Sequence, residues 1–290
     1  MSDQADSLRR IGKSQLVLLA PARRRVVAVT GGKGGVGKST VAVNLACTWA
    51  KRGARTLALD GDLGMADLNL LLGLAPHRSI MDLVQGAPIE DVLVEAHGIH
   101  LLPALNGSFQ AANLGVRARQ TLLESIGEVA ERFDTLVIDT AAGIGDNAIS
   151  LASVASDVVV VATSDPLSLA DAYACLKVLS TRMGVNRAFL LPNSVRTPSE
   201  GDDIIDRLQS LVDRFLGIEV VPLPAIPYDP AIRASAAAGV PFVIHNPETP
   251  ASRAIRKVAR RIDDLAQVAD GPSVLRSWFA ESMSVSGGGK

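Results

Sequence analysis

One eight-residue run constrains this chain more than any other feature: Gly32-Lys33-Gly34-Gly35-Val36-Gly37-Lys38-Ser39, set after a β-branched stretch from Val26 to Thr30 and before a segment of helical period from Ser39 to Lys51. Glycine costs a folding chain conformational entropy, so four within eight positions are there for a backbone purpose. They allow tight turns that aim successive N–H groups inward, and the helix opening at Ser39 adds partial positive charge at its N-terminus. Two lysines so close would repel one another without an anion between them, which argues against a merely glycine-rich turn. Strand, loop and helix in this order predict a phosphate cradle of Walker A spacing, built from Gly32 to Ser39 with Thr40 following. Lys38 is expected at the β- and γ-phosphates and Ser39 on Mg2+.

From Arg25 onward, VVAVT, TLALD, HLLP, TLVIDT, DVVVVAT and AFLLPN alternate with segments of helical period. Such alternation predicts an α/β fold, with a doubly wound, mostly parallel sheet and helices on both faces. DVVVVAT is apolar on both faces and belongs inside the sheet. Asp60 and Asp62 close TLALDGD at the carboxyl edge, where open α/β sheets bind ligands. Their alternative role is to cap a following helix. Asp139 ends TLVIDT, a hydrophobic run closed by a carboxylate, which is the Walker B arrangement for Mg2+. With 48% hydrophobic but only 3% aromatic residues, the core is expected to be aliphatic. The domain built around this phosphate loop is placed at residues 22–269, with tails at 1–21 and 270–290.

The formal charge of −1 gives no overall field for nucleic acid or an anionic membrane, so any such contact requires a local patch. Cys47 and Cys175 lack CxxC spacing, and His77, His97, His100 and His245 are scattered, so neither a disulfide framework nor a metal cage is indicated. No stretch has the length of an apolar membrane span, and MSDQADSLRR lacks the order of a secretory signal. The expected location is the cytoplasm.

Lys33 is unusual for a plain Walker A loop, and KGGVGKS resembles the deviant form found in the MinD/ParA family of ATPases. The resemblance covers nearly the whole chain, including AIPYDPAIRASAAAGVPFV. It implies an ATP-dependent homodimer in which Lys33 crosses to the phosphates of the other subunit. It also implies that Asp62 orients the attacking water, while Asp60 supports Mg2+ alongside Ser39 and Asp139. Lys33, Lys38 and Asp62 then form the catalytic set, and ATP and Mg2+ are the cofactors. In the family an asparagine at the place of Asn193 reads the adenine, with Pro227 and Asp229 alongside the base.

Within that family, iron–sulfur carriers need CxxC, nitrogenase-type reductases need cysteines beside the switch, and bacterial tyrosine kinases carry C-terminal tyrosine clusters. The start Asp3-Gln4-Ala5-Asp6-Ser7-Leu8-Arg9 instead matches the DQAxxLR element of the flagellar number regulators called FlhG, FleN or YlxH. GDLGMADLNLLLG and the pattern of Asp165, Pro166, Ser168, Asp171, Ala172 and Tyr173 also look like these regulators. The resemblance implies that Asp3, Gln4, Ala5, Leu8 and Arg9 activate the signal-recognition-type GTPase FlhF. It further implies flagellar C-ring proteins and, in some relatives, a transcription activator as partners.

Near the C-terminus, Val274, Leu275, Trp278 and Phe279 share one helical face suited to an anionic membrane surface or a groove. Reversible attachment to the inner face of the membrane follows from that reading, although Arg276 is the only nearby base and Glu281 opposes it. A helix expected from Ala251 to Ala269 carries Arg253, Arg256, Lys257, Arg260 and Arg261, assigned to solvent in preference to DNA. Two other readings stay open: a ParA-type partition ATPase binding DNA nonspecifically, and an adaptor that binds partners while barely hydrolysing ATP.

Overall fold

The aliphatic runs come together in one sheet in the computed structural model, which describes residues 25–62, 66–104, 125–153 and 155–265. Its strands are β1 (Arg25–Thr30), β2 (Thr56–Gly61), β3 (Val94–Ala96), β4 (Ile99–Leu102), β5 (Thr135–Thr140), β6 (Asp157–Ala162), β7 (Arg187–Val195), β8 (Glu219–Pro222) and β9 (Ile226–Pro227). The order is β3-β4-β2-β5-β1-β6-β7-β8, with β9 also on β7. Every pairing is parallel except β3 with β4. The doubly wound, mostly parallel architecture expected from the alternation is therefore present.

Strands β2, β5 and β6 are buried along their whole length, because helices cover the sheet above and below. On one side lie α1 (Lys38–Ala50), α2 (Leu68–Leu71), and two C-terminal helices, α9 (Phe242–His245) and α10 (Pro250–Leu265). On the other lie α3 (Ile80–Val84), α5 (Asp146–Ser153), α6 (Pro166–Met183) and α7 (Pro198–Phe215). Two short helices, α4 (Ile89–Val92) and α8 (Pro230–Ala237), are also present, and residues 125–130 are helical as well. Helix α6 starts where its geometry requires: Asp165 caps Leu167 N–H at 3.3 Å, Pro166 occupies the first turn, and Gly184 ends it at φ 67°.

Several elements differ from the expectation. β7 runs two residues past Asn193, because Asn193 and Val195 pair with Ile226 and Pro227 of β9. The β3–β4 hairpin turns at His97 and Gly98, both with positive φ (53° and 81°). Strand β4 is the HLLP run of the sequence, whereas β3, β8 and β9 carry no periodic apolar signal long enough to be read. The last helix is described from Pro250 to Leu265, so its expected extension to Ala269 lies outside the described residues. So do Asp3, Gln4, Ala5, Leu8 and Arg9 near the start, Val274, Leu275, Trp278 and Phe279 near the end, and both expected domain boundaries. Among the described residues no helix is long and apolar enough to cross a membrane.

Candidate nucleotide-binding site

The phosphate loop sits at the carboxyl end of β1 and runs into α1, as the motif's context requires. Gly35 and Gly37 have φ of 79° and 96°, in the left-handed region where a side chain is strained. Gly32 is required for a different reason: a Cβ there would lie 2.1 Å from the Asp171 carbonyl oxygen on α6. Gly32→Ala is thus expected to displace the loop from α6 and destabilise the fold by about 1–3 kcal/mol. A thermal melt and a nucleotide titration would check this; unchanged stability together with unchanged affinity would refute it.

Lys38 begins α1 and is buried, its Nζ donating to the Lys33 carbonyl at 3.4 Å. Desolvation lowers its pKa, while Asp139 and Asp62 pull it back up. Ser39 and Thr40 follow, half-buried, in the first turn. Asn193 reaches over from β7 and donates through Nδ2 to the Val36 carbonyl at 2.7 Å, packing against Gly37. Its amide thus fastens the loop to the sheet.

Asp60 and Asp139 face each other in register across β2 and β5, and both are buried. Gly61, next in β2, must be glycine because a Cβ would sit 2.5 Å from the Asp139 carbonyl oxygen. Burial pushes Asp139 up to about 8, against the pull of a Ser39 hydrogen bond. Burial likewise pushes Asp60 up to about 7, although the Asp62 and Leu68 amides donate to its carboxylate at 3.1 and 3.2 Å. These amides satisfy Asp60, whereas Asp139 Oδ1 is buried without a hydrogen-bond partner. Asp62 lies just beyond β2, half-buried, close enough for its charge to be felt at Lys38.

This donor set fits Mg2+. A cation of that size takes one or two carboxylates, a hydroxyl, waters and phosphate oxygens rather than a full protein cage. Asp139 with its orphaned oxygen and Ser39 beside it are the residues that would hold the ion, with Asp60 behind them. Among the described residues there is no group of three or more His, Cys, Asp or Glu able to form a cage.

Lys33 is the exception within the loop. Its ammonium turns to the rim, half-exposed, and forms an ion pair with Asp165 at the start of α6. That contact holds the Asp165 carboxyl below its ordinary range. In the sequence Asp165 stands out only as part of a subfamily pattern, which gives it no place at the site. Nothing local marks the contact, since 132 positions separate the partners.

Pro227 lies on β9 beside Val195. Asp229 accepts from Ala231 N–H at 3.0 Å and from Ala251 N–H at 3.2 Å. Both of its oxygens therefore fasten backbone at the starts of α8 and α10, which sets the position of the Pro227 loop. Behind the site, Asn44 has a role that no sequence motif announces: its Oδ1 accepts from Val243 N–H at 2.9 Å, tying α1 to α9.

The family model for ParA, described as NUBPL iron-transfer P-loop NTPase, matches residues 22–263. The chain belongs to the ParA/MinD family of P-loop NTPases. Antiactivator FleN of Pseudomonas aeruginosa is 37% identical over 241 residues, covering 82% of this chain and 86% of that protein. Flagellum site-determining protein YlxH of Helicobacter pylori is 34% identical over 187 residues, 63% of each chain. Septum site-determining protein MinD of Pyrococcus horikoshii, solved with Mg-ADP, superposes with a TM-score of 0.70 at 27% identity, covering 83% of this chain and 97% of that one. The iron transfer in the family description has no counterpart in the cysteines of this chain, since Cys47 and Cys175 are both buried and pack on opposite faces of the sheet.

Proposed function

We propose that this protein is an ATP-hydrolysing switch of the FlhG type, which dimerises around ATP and regulates flagellar number and placement. The observation that carries the reading is Lys33. One lysine, Lys38, already fills the protein's own phosphate loop, while the second stands at the rim on an exposed ion pair, where a second subunit's phosphates can compete for it. The flagellar part rests on the similarity to FleN and YlxH. Action with an FlhF-type GTPase and C-ring proteins at the inner membrane face extends the same reading, with the DQAxxLR start as its support.

In this scheme the loop amides and Lys38 hold the β- and γ-phosphates, and Asn193 keeps the loop in register with β7. Asp62 orients a water in line with the γ-phosphate, and Lys33 of the partner subunit neutralises charge as the bond breaks. Bound Mg2+ supplies further charge neutralisation on the phosphates. Positioning and electrostatics do the whole task, so no covalent nucleophile is needed.

The test is light scattering after gel filtration with ATP or ADP, followed by replacement of the native gene with Lys33→Ala and a count of flagella per cell. A dimer seen only with ATP and lost in Lys33→Ala, with altered flagellar number, supports the proposal. A monomer under all conditions sinks the dimer, and unchanged flagella sink the flagellar role.

Asp165→Ala releases Lys33 from its own subunit. Because the pair is exposed, the expected gain is only a few-fold tighter ATP-dependent dimerisation, measured by sedimentation equilibrium. Weaker dimerisation would mean that Asp165 aims the lysine rather than holding it back.

A further inference from the structure

The sheet order puts the two ends of a nucleotide on opposite sides of the phosphate loop. The loop follows β1, the buried carboxylates of Asp60 and Asp139 lie on its β2 and β5 side, and Asn193 reaches it from β7 on the other. Mg2+ and the γ-phosphate belong with the carboxylates, so the base lies towards β7 and β9.

The polar groups on that side are largely spent on the fold. Asn193 Nδ2 donates to the Val36 carbonyl, and the two Asp229 oxygens accept from the Ala231 and Ala251 amides. What stands in solvent instead is a pair of planar groups. Tyr228 is 60% exposed, and the guanidinium carbon of Arg196, also exposed, lies 6.0 Å from its ring centroid. The backbone beneath both is held: Tyr228 N–H donates to the Val195 carbonyl at 2.8 Å and Arg196 N–H to Glu200 Oε2 at 2.6 Å. Between Asn193 and Arg196 the chain turns at Ser194, whose φ of 59° is one of two positive values at non-glycine residues among the described ones. The register of β7 against β9 shifts there too. Such a conformation is unfavourable for a residue with a side chain and collects at ligand sites.

We propose that Tyr228 and Arg196 hold the base of the nucleotide by its two faces, a proposal that rests on the ATP-binding reading of the site. A base offers a π-face to a tyrosine ring, and a guanidinium stacks on such a face and is attracted to it. A base between the two groups needs about 7–8 Å, twice the optimal carbon–carbon separation. The Arg196 side chain, long and exposed, therefore lifts slightly from the ring as the base enters. Face contacts add affinity for any base, and the choice between bases falls to contacts with its edges.

The test measures binding of ADP, GDP and pyrophosphate to the full chain with Mg2+ by calorimetry, with melting temperatures in parallel. Diphosphates keep hydrolysis and ATP-dependent dimerisation out of the measurement, and pyrophosphate fills the loop without offering a base. The native chain is expected to bind ADP about tenfold or more tighter than pyrophosphate. Tyr228→Ala should lose about tenfold for ADP and the same factor for GDP. Arg196→Ala should lose about two- to fivefold, and neither variant should change the affinity for pyrophosphate. Tyr228→Phe, which keeps the ring, should bind ADP as the native chain does. Native affinity for ADP in Tyr228→Ala overturns the proposal, and so does a loss in Tyr228→Phe equal to that in Tyr228→Ala, which would assign the contact to the hydroxyl. Equal losses for ADP and pyrophosphate overturn it in favour of support for the phosphate loop. A native chain that binds ADP no tighter than pyrophosphate overturns the base site and leaves the phosphate site standing, whereas one that binds neither overturns the ATP-binding reading as well.

Discussion

Asp62→Ala is expected to bind ATP and accumulate as the dimer while its turnover falls roughly a hundredfold, the loss typical of removing a group that positions or deprotonates an attacking water. Asp62 lies beyond the end of β2, and its backbone amide is already bonded to Asp60 Oδ1 at 3.1 Å. Truncating the side chain therefore keeps that backbone bond and the in-register pairing of Asp60 with Asp139. Phosphate release and sedimentation, run on the same sample, check the two halves. Loss of ATP binding would show that Asp62 holds the nucleotide, and unimpaired turnover would remove it from the chemistry altogether.

Asp139→Asn is expected to have opposite effects on stability and activity. With a pKa of about 8 for Asp139 and about 7 for Asp60 in the folded protein, both well above the ordinary 3.8, the native state holds protons that the unfolded chain has released. Raised folded pKa values mean stability that is complete below the ordinary 3.8 and is lost as pH rises through about 7 and 8. Without nucleotide and Mg2+, the native protein should therefore melt at a lower temperature on the alkaline side of about 8 than on the acid side of about 7. Asp139→Asn, which cannot ionise, should flatten that dependence and be more stable by about 1–3 kcal/mol at the alkaline end. Turnover should fall about a hundredfold, because Asn is a poorer ligand for Mg2+ than the carboxylate it replaces. Calorimetry across pH, with and without Mg2+ and ATP, tests the sign. An Asp139→Asn protein less stable than the native one at the alkaline end, without ligand, would contradict burial as the cause of the raised pKa.

Tolerance of the outer face of α10 to change and intolerance of the loop follow from the same packing. The exposed arginines of α10 can be exchanged without touching the core, whereas Gly32, Gly37 and Gly61 each have another residue's atoms where a Cβ would be.

What the sequence by itself determined is the part whose cause is local. Glycine spacing between a β-branched run and a helical segment specifies a phosphate loop, since backbone freedom and amide direction depend on neighbouring residues. Alternating strand and helix periods specify a doubly wound sheet, and a hydrophobic run ending in aspartate places Asp139 at its carboxyl edge. Only the tertiary structure decided which groups meet. Asp60 faces Asp139 because β2 pairs with β5 in one register, Asn193 reaches Val36 across the sheet, and Lys33 finds Asp165 at the start of α6. The same holds for Asp229, whose carboxylate joins two helix starts, and for the short strands β3, β8 and β9. Such contacts join residues far apart in the chain, and their geometry is set by how two apolar helix layers pack on the sheet, which local residue patterns do not encode.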